Sequence, residues 1–370
     1  MTNKLKAEHG IVCRIPNDKF GYFGWPSVAR LSDGTLITIS SGLRSEHVCP
    51  WGKTVLNISI DDGNTWSPPR VINDSPLDDR DAGIVDLGDG KLLATWFTSD
   101  TRIYFKEEWV KNWLGEDEIK SWAEKLNDVT DEIANQNIGS WVMLSNDAGI
   151  TWSNPIRVPV STPHGPIKLR NGSLLYLGKP YGTWDDMNNA IMSAAKSIDG
   201  GYTWSILGSI PVYPGTYPAN YHEPHVVELP DGKLIGMIRV ENHSGKELAD
   251  SGITTFSIMQ SESIDGGCTW SIAKPLGFHG SPPHLLYHST GVLILTYGYR
   301  QEPFGQRAAL SYDEGVTWQH DYIIRDDGPD GDLGYPSTVE MADGSLFTLC
   351  YQKVPGDKKC SLLWSKWELP

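Results

Sequence analysis

The residues best able to do chemistry in this chain share one spacing. Six segments read as two apolar strands around a short turn, and the turns begin at Asp33, Asp89, Asn171, Asp231, Thr290 and Asp343, each followed by glycine. Counting back eight residues from each turn gives Trp25, Asp81, Pro163, Glu223, Pro282 and Tyr335. Equivalent positions of equivalent hairpins meet wherever the hairpins surround an axis, so Asp81, Glu223 and Tyr335 are expected at one mouth. A carboxylate beside a phenol can take its proton and turn it into a nucleophile, and a further acid can serve a leaving group. His164, His222, His225 and His284 begin or flank the same strands. No HxH or HExxH spacing joins them, so no metal and no other cofactor is expected.

The elements that must position these groups repeat. The octapeptide S-x-D-x-G-x-T-W occurs five times, starting at Ser59, Ser145, Ser197, Ser263 and Ser311. Its chemistry is that of a turn: Asp folds back on amides, Gly supplies a positive φ, Thr bonds locally and Trp packs. Between the boxes lie the six hairpins, whose alternating apolar runs around Asp-Gly or Asn-Gly are strong strand-turn-strand signals. Six hairpins in 370 residues leave room for four strands each, which predicts an all-β, six-bladed β-propeller formed by residues 1–370 as a single domain. Closure is expected from residues 10–16 pairing with the last strands near 361–369, which leaves no exposed edge. Residues 103–137 break the pattern with apolar residues at helical spacing, and predict a helical insertion in blade two.

Boxes alternating with such hairpins resemble the sialidase (neuraminidase) superfamily, the BNR or Asp-box propellers, over nearly the whole chain. The resemblance implies that the boxes lie on the outer rim and that catalysis belongs to the axis. It implies a nucleophilic Tyr335 in GDLGYPS, activated by Glu223 in YHEPHVVELPDG. It also implies three arginines that hold a substrate carboxylate through planar, bidentate contacts. Arg239, sixteen residues after Glu223, fits the second and Arg300 the third, with Arg307 in reserve. The place of the first reads Gly24-Trp25-Pro26, and the Arg-Ile-Pro at Arg14 to Pro16 lies too early, in the closing strand. Arg44 and Arg80 are expected to rebuild the cationic pocket from neighbouring blades. The family's acid, an Asp in the loop after the first hairpin, is also absent from residues 42–53, which leaves His47 or Glu46, with Asp81 as rival. Trp25 and Trp51 are expected to offer ring faces to a sugar, and His164, His222 and His284 to line its pocket.

These readings predict an exo-acting glycoside hydrolase acting on a terminal anionic or unusual sugar. A polysaccharide lyase working on uronates and a non-catalytic glycan-binding propeller remain as alternatives. The formal charge of −15 disfavours nucleic acid and anionic membrane surfaces as partners. Five scattered cysteines without CxxC spacing, and a start without an apolar leader, are read as a cytoplasmic protein with reduced thiols. The helical insertion is the only hint of a homo-oligomer.

Overall fold

The computed structural model describes residues 3–181, 189–243 and 245–370. Six sheets follow one another around an axis, each an antiparallel set of four strands, with Asn3–Lys4 added as a parallel fifth strand on the outer edge of blade five. Their innermost strands are Tyr22–Arg30, Asp78–Gly88, Ile167–Lys168, Tyr221–Glu228, Pro283–Tyr287 and Gly334–Glu340. Each pairs through its Asp-Gly-type turn with a second strand, so the six hairpins read from sequence are the inner halves of six blades. Blade six is completed by the chain start: Ala7–Cys13 pairs antiparallel with Cys360–Trp367, from Ala7 opposite Trp367 to Cys13 opposite Leu362. That seam explains why six blades carry five boxes. A box turns the third strand of a blade into the fourth, and in blade six this connection is where the chain ends.

Each box folds as its composition requires. In the first, Ser59 Oγ donates to Asp61 Oδ1 at 2.8 Å, Gly63 N donates to Ser59 Oγ at 2.9 Å, and Thr65 donates to both oxygens of Asp61. The glycine has a second reason to be glycine. Gly63, Gly149, Gly201, Gly267 and Gly315 all have positive φ. All of them also abut a side chain of the preceding blade: Phe347, Leu56, Leu93, Leu175 and Ile235 respectively. A Cβ at Gly201 would lie 2.5 Å from Leu93 Cδ1. The boxes therefore set the spacing between blades and stand away from the axis.

The insertion leaves blade two between Lys91–Ser99 and Gly139–Ser145 as a 3-10 turn, Thr101–Lys106, and three helices, Glu108–Leu114, Glu116–Leu126 and Asp131–Asn137. Leu126 and Ala134 pack with Leu77, and Trp122 is fully buried. Lys19 ties the insertion to blade one through Ser121 and Glu118. None of the helices described is long and apolar enough to cross a membrane.

Candidate active site

The inner strands begin with an irregularity that aims side chains at the axis. Trp25, Asp81, Glu223 and Tyr335 have φ of 51°, 51°, 46° and 52°, and the strand register slips at each of them. A bulky residue in this left-handed region costs about 1–3 kcal/mol and persists only where the surrounding structure holds it. These are β-bulges, and a bulge redirects the side chain it carries. In blade three the left-handed residue is His164 (φ 72°), one position beyond Pro163, because a proline ring cannot adopt positive φ.

The bulges bring the expected pair together. Tyr335 Oη donates to Glu223 Oε1 at 2.5 Å, and Arg239 Nη1 donates to Glu223 Oε2 at 2.6 Å and to Tyr335 Oη at 3.3 Å. Arg239 Nη2 donates to Glu241 Oε2 at 2.7 Å. Burial, with Glu223 and Asp81 adding to it, holds the Tyr335 phenol well above its ordinary value, so it rests as a neutral donor. Glu223 and Asp81 also line one small cavity of about 110 Å³ with Phe97, His222, Lys179 and Tyr181. Burial pushes Asp81 up to about 7; Glu223 adds to this, while Arg80, Arg44 and Arg239 oppose it. Among the described residues its Oδ1 is buried without a hydrogen-bond partner. Asp81 is thus a carboxyl group that carries its proton near neutral pH, as a general acid must.

His47 stands differently. Its Nδ1 lies 2.9 Å from Asp332 Oδ1 and 2.9 Å from Tyr22 Oη, with its ring edge-on to Trp25. Burial lowers its pKa against the pull of Asp332, so near neutrality less of it carries the proton that a general acid must give. Asp332 also accepts from Tyr22 at 3.0 Å and Tyr351 at 3.3 Å. Glu46, the other acid considered in this loop, pairs with Lys359 at 2.7 Å.

Several expectations need correction. Arg44 does not face a pocket: it is fully buried, and donates to both oxygens of Asp78 (2.5 and 2.9 Å), to Ser41 and to the carbonyls of Glu46 and His47. Trp25 offers no free face, being 1% exposed between the guanidinium groups of Arg44 and Arg80, 4.8 and 4.2 Å from its ring. Trp51 lies beneath Lys19, whose Nζ is 4.8 Å from the ring, and beside Phe20. Arg307 stacks on Tyr299 at 3.6 Å and faces Asp321. His164 and His284 do not line the cavity of Asp81 and Glu223. They pack with His225 in the axial channel, and all three line a separate cavity of about 450 Å³ further along the inner strands. Arg14 pairs with Asp357 beside the closing strand, as its early position implies.

The remaining expected residues are placed as follows. His222 lines the Asp81 cavity, with burial lowering its pKa to about 3. Arg80 stacks on Trp25 with its nearest carboxylate oxygen, from Asp78, 3.9 Å away. Arg300 reaches Gly331 O at 3.2 Å beside the Tyr335 strand, and the Nε atoms of both Arg80 and Arg300 are buried without a partner. Glu241, Lys179, Asp332 and Asp78 were not anticipated. Glu241 could have been found, since it follows Arg239 by two residues and so shares its face of the strand. Lys179 carries no sequence signal; burial lowers it to about 8, and it donates to the carbonyls of Pro218 and Tyr221.

A sequence profile described as "BNR repeat-like domain" matches residues 117–348. A sialidase of Micromonospora viridifaciens is 26% identical over a stretch that covers 37% of this chain and 27% of that protein. The match thus spans about a quarter of that relative's length. Among solved structures, a protein of unknown function from Dyadobacter fermentans aligns with TM-score 0.75 and 23% identity over 98% of both chains. A Hadza microbial sialidase aligns with TM-score 0.65 and 18% identity, covering 98% of this chain and 68% of that one. An α-L-arabinanase of Penicillium chrysogenum aligns with TM-score 0.62 and 15% identity, over 100% and 98%. The chain therefore has the propeller fold found in sialidases and in an arabinanase.

Proposed function

The chain belongs to the BNR repeat-like family, and from that premise we propose that it is an exo-acting, sialidase-like glycoside hydrolase. The observation that carries this reading is the Tyr335–Glu223 contact of 2.5 Å under Arg239, with a protonated Asp81 sharing the cavity of Glu223. Tyr335 Oη attacks the anomeric carbon while its proton passes to Glu223, and Arg239 stabilises the charge that develops on the phenol oxygen. Asp81 gives its proton to the departing glycosidic oxygen as the sugar–oxygen bond breaks. The resulting Asp81 carboxylate then takes a proton from water, whose oxygen displaces the tyrosine, and Glu223 returns the phenol proton. A neutral phenol avoids the repulsion a carboxylate nucleophile meets at an anomeric centre that carries an anion. Arg80 and Arg300 are less committed to protein carboxylates than Arg44 and Arg239, and they would hold an anionic group on the sugar.

The test is hydrolysis of a panel of nitrophenyl and methylumbelliferyl glycosides, including sialoside, uronides and deoxyhexosides, by wild type and by Tyr335→Phe. Turnover of at least one glycoside is expected, with a loss of roughly 10²-fold or more in the variant and largely retained ligand affinity. No cleavage of any glycoside, with both proteins alike, would refute the reading. The appearance of unsaturated-uronate absorbance on polymeric uronates would instead favour a lyase.

A further inference from the structure

We infer that His222, Glu241 and His243 form a divalent-metal site of zinc type beside the Tyr335–Glu223 pair. The strand geometry brings them together. His222 pairs across the hairpin with Arg239, and Tyr221 with Val240. Side chains alternate along a strand, so Arg239, Glu241 and His243 follow one another at intervals of two, and His222 stands opposite the first of them. The backbone continues this arrangement past the strand end, with Glu241 N bonded to Asn220 O and His243 bridged to Lys246.

The donor atoms of the three side chains all lie within 4.8 Å of one another, and all three residues are half-buried. His222 Nε2 is 3.8 Å from Glu241 Oε1, and among the described residues it is buried without a hydrogen-bond partner. An unpaired buried ring nitrogen is costly unless something meets it, and an ion would. The two imidazole rings lie 4.8 Å apart, centre to centre, and are steeply inclined. Two imidazoles and one carboxylate make a borderline donor set that suits zinc, whereas magnesium and calcium prefer oxygen ligands. Zinc bonds of about 2.0–2.2 Å require the donors to close by roughly 1 Å, within the reach of side-chain rotation. With three protein ligands the fourth position stays open. His222 also lines the Asp81–Glu223 cavity.

Two cations stand nearby, one held by backbone carbonyls and one on the far oxygen of Glu241. Lys179 Nζ is held by the carbonyls of Pro218 and Tyr221, and Arg239 binds the Oε2 of Glu241, leaving Oε1 toward His222. The ion would therefore share Glu241 with Arg239, which links its occupancy to the position of the guanidinium over Tyr335.

The experiment uses the full chain in a Cys268→Ser background, because that exposed thiol would bind zinc on its own. After chelator treatment the protein is titrated with ZnCl₂ by calorimetry, and bound zinc is counted by elemental analysis. One zinc per chain is expected, with no comparable response to magnesium or calcium. Glu241→Gln and His243→Ala should each weaken zinc binding by roughly tenfold or more, while His320→Ala, at an exposed histidine elsewhere, should not change it. His243 lies beyond the strand end, so its truncation keeps the test informative if the Glu241 variant folds poorly. Absence of zinc binding, or binding that neither variant weakens, overturns the site. The result is independent of whether any glycoside is cleaved.

Discussion

Replacing Asp81 by Asn tests the assignment of the proton donor, because the change keeps the shape and removes the titration. Burial raises this carboxyl from 3.8 to about 7. One unit is worth about 1.4 kcal/mol, so the shift corresponds to ~4 kcal/mol between the two protonation states. The folded protein holds the Asp81 proton more tightly than the unfolded chain does. Its stabilising contribution is therefore complete below the unfolded value of about 4 and is lost as pH rises through about 7. Between about pH 5 and pH 7 the wild type should lose ~2 kcal/mol relative to Asp81→Asn, measured by urea unfolding of both proteins at each pH. Asp79, which burial also raises to about 7, is present in both proteins and cancels in the difference. In activity, wild-type kcat/KM should fall on the alkaline side near pH 7, and the variant should lose that limb together with ~10²–10⁴-fold of its rate on substrates with poor leaving groups. A stability difference that does not change with pH, or an alkaline limb that survives in the variant, would refute the argument.

Asp332 should behave with the opposite sign. Hydrogen bonds from His47 and Tyr22 outweigh its burial and hold it well below the usual carboxylate range, so Asp332→Asn should cost ~1–3 kcal/mol above about pH 4 and progressively less as pH falls toward the folded value, read by urea unfolding at neutral and acidic pH. The box glycines allow a paired test in blade three. Gly200 and Gly201 both have positive φ, but only Gly201 faces a neighbour. Gly200→Ala should cost ~1–2 kcal/mol from backbone strain alone, and Gly201→Ala a further ~1–3 kcal/mol from the clash with Leu93, read as the difference between their melting temperatures.

Much of the architecture was legible because it repeats. The eight-residue count reached the head of the inner strands at Trp25, Asp81, Glu223 and Tyr335, since every hairpin obeys the same strand length and turn. It slipped by one at Pro163, where proline forbids the left-handed conformation and His164 adopts it instead. The closing seam was legible from the apolar runs at the two chain ends. What the sequence hid was commitment. Nothing in the spacing of Arg44, Arg80, Arg239 and Arg300 tells which guanidinium is locked to a buried carboxylate, and Asp78, the partner that locks Arg44, carries no repeat signal of its own. For the same reason Trp25 read as a sugar platform, since stacking partners from other loops are invisible in one dimension.

Trp25 also decides how the strained backbone should be used as evidence. It has the same left-handed φ as Asp81, Glu223 and Tyr335, yet it is sealed between two arginines and has no chemistry to offer. The bulge is thus a property of the blade, present whether or not the residue acts, and strain alone does not mark a catalytic group. What separates the other three is what their side chains meet once they are turned inward. Tyr335 meets a carboxylate that can take its proton, under an arginine that can hold the resulting charge. Asp81 meets a small cavity, where burial keeps its own proton on. The fold supplies the aim at every blade, and the surrounding charges and burial decide which of the aimed groups can move a proton.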